Sequence, residues 1–204
     1  MTKLFSYFFL ISLISIGATV CPAQTSTGLP ATQSNSTRSA SDAAAKYFPN
    51  TILVTQDNQK VKFYDDLLKD KFVVINFIFT TCTTVCPPMT ANLRKVQTLL
   101  AERGDQVNMI SISVDPQTDT PERLKAFAQK FKAGPGWYFL TGDKANVDAV
   151  LHKLGGYVAE KNDHTVTLIL GNVNTGEWKK LYALAKATDI SAHISQMLEA
   201  KATK

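Results

Sequence analysis

Two cysteines lie four residues apart, directly after an apolar stretch and directly before a pair of prolines, and this arrangement most constrains the fold. The stretch FVVINFIF, residues 72–79, is apolar on both faces except at Asn76, which is typical of a central strand covered on both sides. The two prolines suit the first turn of a helix, whose backbone N–H groups have no partner within the helix. The sequence therefore predicts a buried strand, a short loop that holds Cys82, and a helix that begins at or beside Cys86.

The chain beyond residue 47 alternates between strand and helix patterns. β-Branched residues flank a turn at 56–58 and predict a hairpin over 50–64. Thr120 is followed by a proline and an acid, which together are typical of a helix start. Apolar periodicity predicts helices at 89–100, 121–132, 144–154 and 189–200, and strands at 107–114, 137–140, 165–170 and 177–182. This order predicts an α/β, thioredoxin-like fold with an N-terminal β-hairpin extension and a parallel portion in its first half.

The N-terminal segment predicts export. Residues 1–23 carry one basic residue, Lys3, and then an apolar run, which is typical of a signal peptide, with an uncleaved membrane anchor as the alternative. Residues 24–46 are rich in Ser, Thr and Ala and predict a flexible tether, because they hold almost no large apolar side chains. We therefore expect the folded domain to span 47–204 and to lie in the bacterial periplasm, held at the inner membrane if the leader is retained.

The charge distribution argues against a nucleic-acid partner. The chain has 204 residues, enough for one domain with extensions, and a formal net charge of +5 from 22 basic and 17 acidic residues. These charges are spread along the sequence, with no run of five or six like charges. A nucleic-acid-binding surface needs a clustered basic patch, so this class of function is excluded.

Three roles are open to the cysteine pair: a structural disulfide, a redox pair, or two ligands of one metal ion. Cys21 belongs to the leader, so the folded part holds Cys82 and Cys86, and export permits a disulfide between them. A structural disulfide is disfavoured because it would close a very short loop. The positive end of the predicted helix favours a thiolate at Cys86, and a thiolate serves both as nucleophile and as metal ligand. The four-residue spacing suits both a redox pair and two ligands of one metal ion.

A histidine occupies the loop that is expected to face these cysteines. Thioredoxin-type oxidoreductases carry a cis-proline immediately before their third strand, but the last proline here is Pro135, and His164 stands before the strand at 165–170 instead. Two thiolates and a neutral imidazole form a soft donor set, which favours Cu(I) over hard cations and resembles half of a zinc site. His152 and His193 lie on predicted helices away from this loop and are expected to be structural.

Several motifs, in the same order, resemble the Sco/SenC family of copper-binding, thioredoxin-like assembly factors for cytochrome c oxidase. The resemblance runs from about Phe48 to Leu198 and includes FTTCTTVCP, ISVDPQTDTPERLKAF, FLTG and DHT. Carried over residue by residue, the family's copper ligands fall on Cys82, Cys86 and His164. The resemblance also implies that the two cysteines cycle between a disulfide and a dithiol.

This resemblance implies an exported metallochaperone that binds one copper ion, as Cu(I) or Cu(II). It would deliver copper to the binuclear copper site of cytochrome c oxidase, or reduce the cysteines of that site. The expected partners are the copper-site subunit of the oxidase, a thiol reductase or another copper chaperone, and the membrane through the N-terminal segment. The alternative is an enzyme, an envelope thiol–disulfide oxidoreductase with Cys82 and Cys86 as its redox-active pair and incidental copper binding.

Overall fold

The computed structural model describes residues 33–102 and 107–199, with side chains described from residue 38 onward. The predicted leader, 1–23, and the first part of the predicted tether lie outside the described residues. Within the described ranges, none of the helices has the length and apolarity needed to cross a membrane.

The strands and helices predicted beyond residue 47 are all found, with ends that differ by a few residues. Three elements are additional: a helix at Gln33–Tyr47, a π-helical turn at Phe63–Leu68 and a 3₁₀ turn at Lys161–Asp163. The helices are α1 (Gln33–Tyr47), α2 (Cys86–Glu102), α3 (Pro121–Lys130), α4 (Lys144–Leu154) and α5 (Ala187–Glu199). The strands are β1 (Ile52–Thr55), β2 (Lys60–Lys62), β3 (Phe72–Ile78), β4 (Asn108–Ser113), β5 (Trp137–Thr141), β6 (Thr167–Asn172) and β7 (Glu177–Tyr182).

The strands of the described chain form one sheet in the order β2-β1-β5-β4-β3-β6-β7. The central strands β3, β4 and β5 run parallel to one another. The β1–β2 hairpin adds antiparallel to β5 at one edge, and β6 and β7 add antiparallel beside β3 at the other. The predicted α/β class, parallel portion and N-terminal hairpin extension are therefore confirmed.

β3 lies at the centre of the molecule, and all seven of its residues are buried. Val73, Ile75 and Phe77 face the core cluster that contains α4, whereas the alternate residues face the cluster that contains α2, α3 and α5. The one polar residue, Asn76, accepts a hydrogen bond from the Ser111 hydroxyl at 2.7 Å. Burial on both faces explains why this strand reads as a continuous apolar run.

The expectation of a structureless tether does not hold for residues 33–46, which form most of α1. Ala44 from this helix and Phe48 just beyond it are buried in the core. The Tyr64 hydroxyl donates a hydrogen bond to the carbonyl oxygen of Ser41 at 2.8 Å. A segment with so few large apolar residues is ordered here because its alanine face packs on the domain, a long-range contact that composition does not reveal.

Candidate metal centre

The order of the strands brings the cysteine and histidine segments together. Cys82 lies in the loop after β3, with its N–H donating to the Phe79 carbonyl at 3.1 Å, and Cys86 is the first residue of α2. His164 follows the 3₁₀ turn and precedes β6. Since β6 runs antiparallel beside β3, its beginning lies next to the end of β3. Two segments that are far apart in sequence therefore meet at this end of the central strand.

Cys82, Cys86 and His164 form a group whose donor atoms lie within 4.8 Å of one another. The Cys86 sulfur is 3.2 Å from Nε2 of His164. All three residues are buried, with exposed fractions of 7% for Cys82, 0% for Cys86 and 6% for His164. Donors about 2.0–2.3 Å from one ion can be separated by at most about 4.6 Å, so donor atoms within 4.8 Å of one another need at most a small shift to share one ion.

The imidazole is oriented by the backbone. Nδ1 of His164 lies 3.1 Å from the carbonyl oxygen of Lys161, which only accepts hydrogen bonds, so Nδ1 carries the proton. Nε2 is then an acceptor that faces the Cys86 sulfur. Burial lowers the pKa of His164, although the Lys161 carbonyl favours the protonated ring. A neutral ring with a free Nε2 lone pair is the form that binds a metal ion.

The two sulfurs have opposite protonation preferences. Burial raises the pKa of the Cys86 thiol far above its ordinary value, and the neighbouring Cys82 raises it further. Burial also acts to raise the pKa of Cys82, but hydrogen bonds from the Cys86 N–H and Thr84 outweigh it, so that this pKa is lowered. The Cys86 N–H to Cys82 sulfur distance is 3.4 Å. The expectation that the helix end favours a thiolate at Cys86 is wrong, because burial outweighs the helix terminus there.

A buried aspartate supports the cysteine loop. The Asp119 carboxylate accepts hydrogen bonds from the Thr80 N–H at 3.1 Å, the Thr80 hydroxyl at 2.5 Å and the Ser113 hydroxyl at 2.5 Å. It thereby joins the loop after β3 to the end of β4 and to the start of α3. The sequence analysis assigned no role to Asp119, because its partners lie in another segment. The local signals were its place in the ISVDPQTDTPERLKAF motif and the capping hydroxyl of Thr120 directly after it.

The other two histidines are not part of this group. The His152 ring stacks on the Tyr157 ring with centroids 3.9 Å apart. Nδ1 of His193 lies 3.2 Å from the Lys179 ammonium. Their placement on α4 and α5, as predicted, keeps both away from the cysteines.

These features define a class: an α/β domain with two thiols at the end of the central strand and an imidazole that faces them, the donor set of a soft-metal site. The SCO1/SenC family model matches residues 38–199, and the chain belongs to that family. The family that the motifs resemble is thus confirmed, and the thioredoxin-like fold of its solved members is the fold found here.

Three comparisons illustrate the relationship. A SCO1 protein homolog from Bacillus subtilis is 42% identical over 88 residues, which is 43% of this chain and 45% of the relative. The structure of BsSco, a member of the Sco family of cytochrome c oxidase assembly proteins, has 27% identity and a TM-score of 0.63, and the match covers 77% of this chain and 95% of that one. Bradyrhizobium japonicum ScoI, solved with copper bound, has 28% identity and a TM-score of 0.60, with 71% and 95% covered. The first matches to curated relatives span about half of each relative's length.

Proposed function

We propose that this chain is an exported copper metallochaperone that binds one copper ion through Cys82, Cys86 and His164. The observation that carries the proposal is the convergence of three soft donors, two of them 78 residues apart in sequence, within 4.8 Å. No carboxylate belongs to this group of the described residues. A set of two sulfurs and one imidazole nitrogen favours Cu(I) over magnesium or calcium.

The protonation states of Cys82, Cys86 and His164 support the proposal of copper binding. Burial favours the thiol form of Cys86 and the neutral form of His164, and the Cys86 sulfur lies 3.2 Å from Nε2, close enough for the thiol to donate to it. Copper binding releases the thiol proton, because thiolate is the ligand form. Cys82, with its lowered pKa, is the sulfur that is ready to bind first.

Transfer of the metal to another protein requires that an incoming ligand reach it. Cys82 is flanked by Thr81 and Thr83, both of which are exposed. A three-ligand site also leaves room for a thiolate of the acceptor. Asp163 and Thr165, which flank His164, are exposed as well, whereas Cys86 is fully buried. We infer that the acceptor approaches from the side of Cys82 and His164.

The cellular role follows from the family. We propose that the acceptor is the copper-site subunit of cytochrome c oxidase and that a thiol reductase or another copper chaperone acts upstream. The support is that BsSco belongs to a family of oxidase assembly proteins and that Bradyrhizobium japonicum ScoI binds copper. We further propose a periplasmic location, with residues 1–23 as leader or inner-membrane anchor, and a folded domain that extends N-terminally of residue 47 to include α1.

A second function, thiol–disulfide reduction, is favoured by the difference between the two thiols. A nucleophile with a lowered pKa beside a buried partner with a raised pKa is the arrangement that a dithiol reductase uses. Oxidation of the pair to a disulfide would remove two copper ligands. In this reading copper loading depends on redox state.

A Cu(I) titration of the reduced protein against a chromophoric chelator tests the proposal. We expect one ion per chain, and losses of affinity on the order of 100-fold or more in Cys82→Ser, Cys86→Ser and His164→Ala, since even outer-shell changes cost 10- to 100-fold. His152→Ala is the matched control and should bind as the unchanged protein does. A reduced protein that fails to compete for Cu(I) would contradict the metallochaperone function. Unchanged affinity in His164→Ala, with intact thiol exchange, would favour the reductase.

A further inference from the structure

Lys161 contacts the site through both its side-chain ammonium and its backbone carbonyl. Its ammonium lies 2.6 Å from the Asp115 carboxylate. Its carbonyl oxygen, 3.1 Å from Nδ1 of His164, sets the orientation of the imidazole. The same carbonyl also accepts the His164 N–H at 3.3 Å. The position of one lysine backbone therefore determines where the imidazole points, and its side chain fixes that backbone to another segment.

Asp115, the acidic residue of the ion pair, lies in a turn that backbone hydrogen bonds hold in place. Asp115 follows β4, and its carbonyl oxygen accepts the N–H groups of Thr118 and Asp119 at 3.0 and 2.9 Å. Its own N–H donates to the Ser113 hydroxyl at 3.0 Å. The carboxylate is only 13% exposed, against 39% for the lysine side chain. An ion pair whose carboxylate is largely shielded from solvent is screened less than a fully exposed pair.

The ring of Phe79 contacts both the Lys161 ammonium and the imidazole of His164. The Lys161 ammonium lies 5.4 Å from the centroid of its ring, and the imidazole of His164 packs edge-on at 5.2 Å. Phe79 is 3% exposed and directly precedes the cysteine loop. Both the Lys161 ammonium and the imidazole therefore contact a residue that lies directly after the central strand.

The segment that carries His164 has few other polar anchors. We call residues 155–166, between α4 and β6, the histidine loop. Within the described chain, polar side-chain contacts from residues 158–165 to other segments come from Lys161 and His164 alone. The remaining hydrogen bonds of these residues lie within the loop. The ends of the loop are held separately: the Tyr157 ring stacks on His152, and the Val166 carbonyl accepts the Ala183 N–H at 2.9 Å. The middle of the loop therefore depends strongly on Lys161 and His164.

We propose that the Lys161–Asp115 ion pair is a clamp that holds the histidine loop in its copper-binding position before the metal arrives. The proposal rests on the proposed function, because it assigns a positioning role at the same site. A pre-ordered loop removes the entropy cost of bringing the imidazole to the sulfurs on binding. Lys161 and Asp115 are thus positioning residues and do not themselves touch the ion.

The test compares Lys161→Met with Asp115→Asn by Cu(I) competition. Two thiolates, a neutral imidazole and Cu(I) sum to one negative charge. If these residues acted only through their charge, loss of the lysine would weaken binding and loss of the aspartate would strengthen it. The clamp predicts weaker binding in both variants, by about 10- to 100-fold, with the double variant no weaker than either single one.

Two further variants control this comparison. Lys125→Met breaks an ion pair between Lys125 and Asp57, 3.2 Å apart and outside the histidine loop, and should leave copper affinity unchanged. The exchanged pair Lys161→Asp with Asp115→Lys should recover affinity relative to the single variants. Asp115→Asn binding copper as tightly as the unchanged protein, or more tightly, would overturn the clamp.

A metal-free measurement separates this proposal from the copper-binding function. Amide hydrogen exchange of the histidine loop in the reduced protein should be faster in both Lys161→Met and Asp115→Asn, by about the same factor, and unchanged in Lys125→Met. Equal exchange in all proteins would overturn the clamp even if copper binds. If the unchanged protein binds no copper but the exchange difference is found, the clamp stands and the metallochaperone function fails.

Discussion

Cys82 and Cys86 lie four residues apart and yet have opposite protonation preferences. The cause is their position relative to the first turn of α2: the Cys86 N–H points at the Cys82 sulfur, whereas the Cys86 sulfur is enclosed by the core. The residue that begins the helix is therefore the less reactive one. Burial outweighs the helix terminus because the sulfur is removed from solvent altogether.

This difference predicts the order in which the thiols react. Alkylation requires thiolate, so the rate at Cys82 should rise with pH and level off below the pH at which an ordinary cysteine does, because its pKa is lowered. Cys86 should stay a thiol over the same range, because its pKa is raised. Mass spectrometry of metal-free protein after brief iodoacetamide treatment at several pH values measures both rates.

The control for this prediction is Cys82→Ser, in which Cys86 should still be alkylated more slowly than Cys82 is in the unchanged protein, because burial, the largest cause of its raised pKa, remains. Preferential modification of Cys86 in the unchanged protein would contradict the assignment of Cys82 as the reactive thiol.

At the scale of elements, α4 ends in a two-glycine turn that packs directly on the central strand. Gly155 has φ +71°, and the N–H groups of Gly155 and Gly156 donate to the carbonyls of His152 and Leu151. This pattern is the Schellman motif. A Cβ atom on Gly156 would stand 2.3 Å from the ring of Phe77. The close approach sets where the histidine loop leaves α4.

We expect Gly156→Ala to lower the free energy of unfolding by about 1–3 kcal/mol, because the added methyl group overpacks the core against Phe77. Urea denaturation followed by circular dichroism measures the change. In a Phe77→Leu background the further loss should be smaller, since the ring that causes the clash is gone.

Gly134→Ala is the matched control, because its Cβ would stand 3.2 Å from the end of the Gln97 side chain. That end can shift, at the cost of its hydrogen bonds to Gly134 and Pro135, whereas the ring of Phe77 is fixed in the core. Equal losses from the two glycine substitutions would show that the contact with Phe77 is not the cause.

At the scale of the whole molecule, the candidate site exists only in the folded chain. Cys86 and His164 are 78 residues apart and meet because β3 and β6 are neighbours in the sheet. An unfolded chain keeps the two nearby cysteines but has no reason to bring the imidazole to them. A metal ion that uses all three ligands must therefore stabilise the fold.

We expect Cu(I) at about 100 times its dissociation constant to stabilise the reduced protein by about 2.7 kcal/mol, visible as a rise in Tm. At the same copper concentration, the rise in Tm should be much smaller in His164→Ala. It should be absent in the oxidised protein, whose sulfurs are joined in a disulfide. Differential scanning calorimetry of the three forms, each with and without copper, makes the comparison. An equal rise in Tm for His164→Ala would exclude the histidine as a ligand.

Much of the architecture follows from local patterns. The apolar run of β3, the proline pair at the start of α2 and the capping residue of α3 each act within a few residues, so they predict elements without knowledge of the rest. The α1 helix and the π-helical turn were missed because α1 is ordered by packing on the domain, whereas the turn has no distinctive periodicity.

By itself the sequence determined the order of strands and helices, the place of the cysteines at the end of a buried strand, and the histidine before β6. These are consequences of periodicity, caps and spacing, which are local. Only the tertiary structure decided that Nε2 of His164 lies 3.2 Å from Cys86, that Cys82 is the thiol with the lowered pKa, and that Lys161 pairs with Asp115. Those outcomes depend on burial and on contacts between distant segments, which exist only after the sheet has assembled.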